Sequence, residues 1–409
     1  MTQALHDKNF VFRKLNQGDI EEFNDLLSYA FQVTSTELRE SGWENKDDIK
    51  RSKQPIFDFS YVLGCFYKGS LASQIVIYPM EVNIHGEIYK MGGLTGVTTY
   101  PEFTGRGLSH ALIRKGLEYM KENGQTISFL YPYSIPFYRK QGWEIVSDQM
   151  TFTIKDTQLP KKRPVSGMIE RVDIDDEDIK NVYKYFAMQH HGALIRGEFE
   201  WEEYWRWDTE DMMAAVYYDK DGKPLGYVIY FIENDRMLIK EMIYLNSEAK
   251  NGIWNFISAH YSMVSEVKGY NYTGEAIAFQ FDDSEIKETI QPYYMARIVD
   301  VQPFMENYPY QNNDDSLKFY FRVHDATAPW NEGAFYLHFE NNEPICEKVD
   351  EYEESYLVEL DISILTTMMM GYKRPTYLYN NDYIKVDYYL LHALEMLIEP
   401  KKPYFSDYF

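Results

Sequence analysis

From Ser60 to Tyr100 the chain reads "SYVLGCFYKGSLASQIVIYPMEVNIHGEIYKMGGLTGVTTY", apolar β-branched and aromatic residues broken by turn signals at Gly69 and at His85-Gly86. This pattern predicts a meander of antiparallel strands. The period then changes. Leu108, Ala111, Leu112, Leu117 and Met120 recur at helical spacing up to Asn123, and Gly124 supplies a stop. "TISFLY" reads as a buried strand, "PFYRKQG" as a short helical turn ended by Gly142, and "WEIVS" as a returning strand. Strands feeding a glycine loop, a helix and a further strand make an α+β unit.

The same plan recurs further along. After a helical opening from Asp175 come strands "AAVYYD", "LGYVIYF" and "MLIKEMIYL", then a helix predicted from Ser247 through Val264. A third pattern of short strands begins near "IQPYYMARIVDVQPF", runs through "SLKFYFRVHDATAPWNEGAFYLHFE", "ICEKV" and "YLVEL", and ends in helical segments at 364–371 and 387–399. Between the first two units, "DTQLPKKRPVSG" reads as a linker, with two prolines, a basic run and a glycine. The expected domains are 1–155, 156–293 and 294–409, consistent with a chain of 409 residues.

Composition narrows the function. Lys and Arg number 41 against 64 Asp and Glu, and the net charge of -23 disfavours nucleic acid while favouring a cationic ligand. Cys65 and Cys346 are the two cysteines, which gives neither a disulfide framework nor zinc spacing. His190-His191 lacks neighbouring ligands, so no metal is expected; Met368 to Met370 read as core, and "DIDDEDIK" as a solvated helix start. The opening "MTQALHDKNFVFRKL" has no signal-peptide run and no segment approaches the ~18 apolar residues of a membrane span, so the expectation is a cytoplasmic protein without a membrane partner. The 37 Tyr and 24 Phe supply enough aromatic surface for a homo-oligomer.

The stretch richest in chemistry is "GGLTGVTTYPEFTGRGLSHALIRKG". A strand ending at Thr99 passes through a proline turn into Gly105, Arg106 and Gly107, where the helix starts, leaving free N–H groups at a helix N-terminus that suit a phosphate. A P-loop is excluded by Leu108-Ser109 after the glycines, and a dinucleotide fingerprint by His110 and by the preceding meander. A turn that binds nothing stays open on the loop alone. The segment resembles motif A of the GCN5-related N-acetyltransferases (GNAT), whose Gln/Arg-x-x-Gly-x-Gly/Ala loop wraps the pyrophosphate of acetyl-CoA, although Thr104 and Ser109 depart from that pattern. "SFLYPYSIPFYRKQGWEIV" extends the likeness: Tyr138, ahead of Gly142-Trp143, stands where the family's tyrosine reaches the thioester sulfur.

The whole chain resembles the enhanced-intracellular-survival (Eis) acetyltransferases, through "GLTGVTTYPEFTGRGL", "PFYRKQGW", "GALIRGEFEW", "ARIVDVQPF" and "WNEGAFYLHF". The resemblance implies an α+β architecture of tandem GNAT folds, the second degenerate, followed by a sterol-carrier-protein-2-like domain, assembled as a hexamer. It implies that acetyl-CoA lies along Val97, Thr98 and Thr99, with its pyrophosphate on Gly105, Arg106, Gly107, Leu108, Ser109 and His110 and with Tyr133 and Ser134 on the other wall. Tyr138 would be the acid, since a phenol near pKa ~10 stays protonated at neutral pH. The base would be the α-carboxylate of the last residue, Phe409. An ordinary α-carboxyl near ~3.5 is a weak base, and raising it to about 6 by burial costs on the order of 3 kcal/mol.

The last six residues, "YFSDYF", include four aromatics, which would anchor such a tail; packing without chemistry is the plainer reading of the residues alone. In the second unit Asn246-Ser247-Glu248-Ala249-Lys250 replaces the glycine loop, so one acetyl-CoA per chain is expected. The acceptor would be a primary amine of a cationic small molecule, aminoglycoside-like or a polyamine, or lysine. The rival functions are a non-enzymatic lipid or acyl-CoA carrier built on the third domain, and a structural oligomer with a lapsed site.

Overall fold

A computed structural model of the chain describes residues 9–32, 46–205 and 211–409. Residues 1–8, part of the stretch read for a leader, lie outside the described residues. β1 (Phe10–Lys14), outside the predicted meander, pairs antiparallel with β2 (Tyr61–Tyr67); the meander itself forms as the pattern predicts, with β2, β3 (Ser70–Ile84) and β4 (Glu87–Thr99) antiparallel in order and two-residue turns at Lys68-Gly69 and His85-Gly86. The helix Leu108–Glu122 then crosses to β5 (Ile127–Leu130), parallel to β4. A short helix, Ile135–Arg139, leads to β6 (Glu144–Ile145).

At this point the chain departs from the order of its predicted units. The strand expected over "WEIVS" is only β6, and the next strand, β7 (Asp148–Lys155), leaves the first sheet and pairs in the second. The second sheet comprises β13 (Lys287–Pro292), β7, β12 (Glu266–Asn271), β11 (Arg236–Tyr244), β10 (Pro224–Glu233), β9 (Met213–Tyr218) and β8 (Met168–Val172), in that order. β14 (Met295–Ile298) returns to the first sheet, between β5 and β6. The second sheet thus holds a strand, β7, from the stretch predicted for the first unit, and the first sheet holds a strand, β14, from the stretch predicted for the third. The helix predicted to Val264 stops at Ser258, where the His260 imidazole pairs with the Phe256 carbonyl at 2.9 Å.

The third sheet is β17 (Glu343–Val349), β16 (Gly333–Glu340), β15 (Lys318–His324), β18 (Leu357–Asp361) and β19 (Lys385–Val386). Its helix Ile362–Met369 packs on β14 and β6, and Met368, Met369 and Met370 are fully buried. These apolar faces join one continuous core that runs from β3 and β4 through the second sheet to the third. A second core lies on the other face of the first sheet, under the helix Leu108–Glu122. No helix among the described residues is long and apolar enough to cross a membrane.

Candidate active site

β4 and β5 pair over three positions only, Met91 with Ile127, Gly92 with Ser128 and Gly93 with Phe129. β4 continues to Thr99 against β3 while β5 ends at Leu130, so the sheet forks after Gly93. Beyond the fork Thr98 and Thr99 pair with Gln74 and Ser73 of β3, Val97 lies at a register break before them, and no strand among the described residues pairs with the other edge. An extended amide-bearing ligand can pair there as an added strand.

The fork leads to the glycine loop. Gly105 and Gly107 both have φ +78, a left-handed conformation that a side chain would strain, and a Cβ at Gly105 would meet nothing within 4 Å. Gly107 is the N-cap and its carbonyl receives the first helical hydrogen bond, from Ala111, which leaves the N–H groups of Leu108, Ser109 and His110 without helical acceptors. The side chains of this segment face elsewhere. Leu108 is buried in the core, and the Ser109 hydroxyl lies 2.9 Å from that of Thr99, itself 2.7 Å from that of Ser73. His110 Nδ1 lies 2.6 Å from Gln141 Oε1, and Arg106 is exposed above Phe103. What the loop offers an anion is backbone, together with the helix dipole.

Tyr138 sits on the short helix beyond β5, 7% exposed, and burial pushes its phenol up to about 12. Its ring packs near Trp143, and its carbonyl accepts from the N–H groups of Gln141 and Trp143. Arg297 of β14 holds this turn: the buried guanidinium contacts the Gln141 carbonyl and pairs with Asp325 at 2.5 Å. Tyr133 is 94% exposed, and Ser134 accepts from the Phe137 N–H at the start of the same helix.

The tail arrives from the opposite face. Successive strand residues point to opposite sides; Leu94 and Leu130 pack in the core that contains Tyr138, whereas Gly93 faces Phe409, whose ring would lie 2.9 Å from a Cβ placed there. Phe409 donates its N–H to the Tyr294 hydroxyl at 3.0 Å and packs near Tyr78 and Phe405. Phe405 is fully buried against Phe129 and Tyr294. Tyr138 and Phe409 therefore approach the fork from its two faces.

Sequence reading missed what holds the tail. Arg196 lies just after an isolated bridge between Leu194 and Val82 of β3 and before the helix Glu198–Trp205, and its fully buried guanidinium pairs with Asp407 at 2.7 Å and with Glu241 of β11 at 2.8 Å. The rings of Tyr183, Trp201 and Tyr204 surround it. Burial raises the Asp407 carboxyl above the usual range, and the shared arginine only partly offsets that. Burial acts on Glu241 in the same sense, but the Arg196 charge and hydrogen bonds from Arg196, Tyr227 and Ser406 carry it below the usual range. The one available signal was an arginine inside the apolar run "GALIRG".

Beside the tail lies a cavity of about 280 Å³. Tyr131, Tyr204, Tyr270, Tyr272, Tyr293 and Tyr408 line it together with Glu203 and Lys240, and the Lys240 ammonium rests on the Tyr204 ring. In the second sheet β11 and β12 also diverge after Ile239, yet the helix N-terminus there is filled: Asn246 caps Ala249, and Glu248 accepts from the Ser166 N–H and hydroxyl at 2.7 Å. No cluster of His, Cys, Asp and Glu suited to a metal occurs among the described residues.

Comparison with known proteins gives these features a context. Residues 11–146 and 192–298 each match an acetyltransferase (GNAT) domain, and residues 301–406 match a sterol carrier protein domain. An uncharacterized N-acetyltransferase of Streptomyces avermitilis is 22% identical over 350 residues, covering 80% of this chain and 81% of the relative. A probable N-acyltransferase from Enterococcus faecalis, 28% identical, superposes with a TM-score of 0.89 over 98% of this chain and 99% of that one. A GCN5-related N-acetyltransferase from Anabaena variabilis (22% identical, TM-score 0.84) and an Eis protein from Mycobacterium abscessus (16%, 0.80) share the fold, each over 98% of this chain and all of theirs.

Proposed function

We propose that this chain, a GNAT N-acetyltransferase made of two GNAT domains and a sterol carrier protein domain, acetylates a primary amine of a small cationic molecule by direct transfer from acetyl-CoA. Aminoglycoside-like compounds, polyamines and lysine side chains belong to that acceptor class. The observation that carries the reading is the placement of Phe409 against Gly93, at the residue where β4 and β5 part.

Acetyl-CoA would enter the fork with its pantetheine amides along Val97, Thr98 and Thr99 and its pyrophosphate on the N–H groups from Gly105 to His110. The tyrosine-lined cavity would take the acceptor, since ring faces attract an ammonium; its two charged residues, Glu203 and Lys240, offset each other. The α-carboxylate of Phe409 would accept the proton from the attacking amine, forming the amide bond as the carbon–sulfur bond breaks. Tyr138 would donate its phenolic proton to the departing thiolate, since burial keeps it protonated at neutral pH. We place one such site in each chain and expect the chains to assemble as a homo-oligomer.

The test is thiol release from acetyl-CoA across a panel of amines, with native protein and with protein extended by two glycines after Phe409. The extension turns the α-carboxylate into an amide. Turnover should collapse while acetyl-CoA binding is retained; unchanged turnover would remove the carboxylate from the mechanism.

A further inference from the structure

Four of the six residues from Tyr404 onward are held by a hydrogen bond or ion pair to a specific partner. The Tyr404 N–H donates to the His191 carbonyl at 2.7 Å, the Ser406 hydroxyl to Glu241 at 2.9 Å, and the Phe409 N–H to the Tyr294 hydroxyl at 3.0 Å. The Asp407 carbonyl accepts from Tyr293 at 2.8 Å, and its carboxylate meets Arg196 Nε at 2.7 Å. Aromatic burial alone would fix such a tail loosely. The segment repeats an aromatic pair, Tyr404-Phe405 and Tyr408-Phe409, so apolar pockets discriminate poorly between one register and another. Asp407 is the single acidic side chain in it, and a buried ion pair contributes little net stability over apolar packing while specifying register well.

We infer that Arg196 and Asp407 are positioning residues that set where the end of the chain lies at the fork, acting on acetyl transfer through Phe409. Two residues separate Asp407 from the last atom, a reach of roughly 7 Å, so a shift at the ion pair passes almost undiminished to the α-carboxylate. Glu241, Tyr183 and Ser406 hydrogen-bond to the pair, and the rings of Trp201 and Tyr204 face it. The second GNAT domain, whose own anion site is filled by Glu248, thereby acquires a role in the first domain's reaction. This inference rests on the proposed role of the Phe409 carboxylate.

The experiment compares Asp407→Asn, Arg196→Lys, the Gly-Gly-extended chain, and Asp407→Asn made in the extended chain. Asp407→Asn keeps the side chain's shape and guards against loss of fold, which acetyl-CoA affinity and Tm report. We expect kcat to fall by about 10- to 100-fold in both single variants, as for a misplaced catalytic group, with acetyl-CoA Kd unchanged. In the extended chain, whose carboxylate is already lost, Asp407→Asn should cost nothing further. Full turnover by Asp407→Asn, or an equal fractional loss in both backgrounds, overturns the inference while leaving the base assignment standing. Full turnover by the extended chain overturns the base assignment and this inference together.

Discussion

The ring of Phe409 lies against Gly93, so that a Cβ at that glycine would sit 2.9 Å from the ring and 3.1 Å from Met80 Sδ. Gly93→Ala should push the ring off the fork. We expect kcat to fall on the order of 10²-fold, with a stability loss of about 1–3 kcal/mol from overpacking. Steady-state kinetics and urea unfolding measure both, and wild-type turnover in this variant would show that the ring's seat is immaterial.

Tyr138→Phe removes the phenolic proton and keeps the packing against Trp143. A general acid contributes typically 10²–10⁴-fold, so kcat should drop by about 10²-fold or more while acetyl-CoA affinity holds. Because burial pushes the phenol up to about 12, the native enzyme should show no alkaline loss of kcat from this group until far above neutral pH. A break near the ordinary phenol range that is lost in Tyr138→Phe would contradict the raised value, whereas wild-type kcat in Tyr138→Phe would contradict the assignment as acid.

Calorimetric titration should give one acetyl-CoA per chain. The second helix N-terminus is occupied by Asn246, Glu248 and Ser166, and a fixed carboxylate repels a pyrophosphate. A stoichiometry of two would show that the filled site opens.

His85, in the β3–β4 turn, stacks on His191 with ring centroids 3.6 Å apart, and His191 Nε2 lies 2.9 Å from the Met370 carbonyl. Burial lowers His191 from its ordinary 6.5 to about 4 and lowers His85 as well, with the neighbouring His191 adding to the effect. Above pH 6.5 both folded and unfolded chains hold these rings neutral, so stability is independent of them. As pH falls from 6.5 toward 4, only the unfolded chain takes up the proton, and stability declines by up to about 1.4 kcal/mol per pH unit for each histidine. Urea unfolding from pH 7 to pH 5 should show this slope, reduced in His191→Asn; an unchanged slope would place the sensitivity elsewhere.

Asp325→Ala leaves the Arg297 guanidinium buried without its carboxylate. Breaking a buried pair from one side costs about 3–5 kcal/mol, and the loss should appear in urea unfolding. A cost below 1 kcal/mol would mean that water reaches Arg297, as an order-of-magnitude bound.

Local pattern was enough for the meander, the helix after Gly107 and the turn ended by Gly142, because each is dictated by residues within a few positions of one another. The strand exchange was not readable. Asp148 to Lys155 and Met295 to Ile298 are ordinary strand sequences, and which sheet receives a strand depends on partners more than a hundred residues away. In the candidate site, the glycines and Tyr138 carry local signatures. Arg196 and Arg297 do not, since a buried arginine is marked only by the distant carboxylates that neutralise it.

The crossing of β7 and β14 between sheets has a consequence during synthesis. A ribosome adding about 5–20 residues per second will have made β1 to β6 well before Met295–Ile298 emerges to fill the gap between β5 and β6. A first sheet that folds as it emerges would keep an open slot between β5 and β6 until then, with an unpaired edge. Closure comes only when nearly three quarters of the polypeptide has been translated.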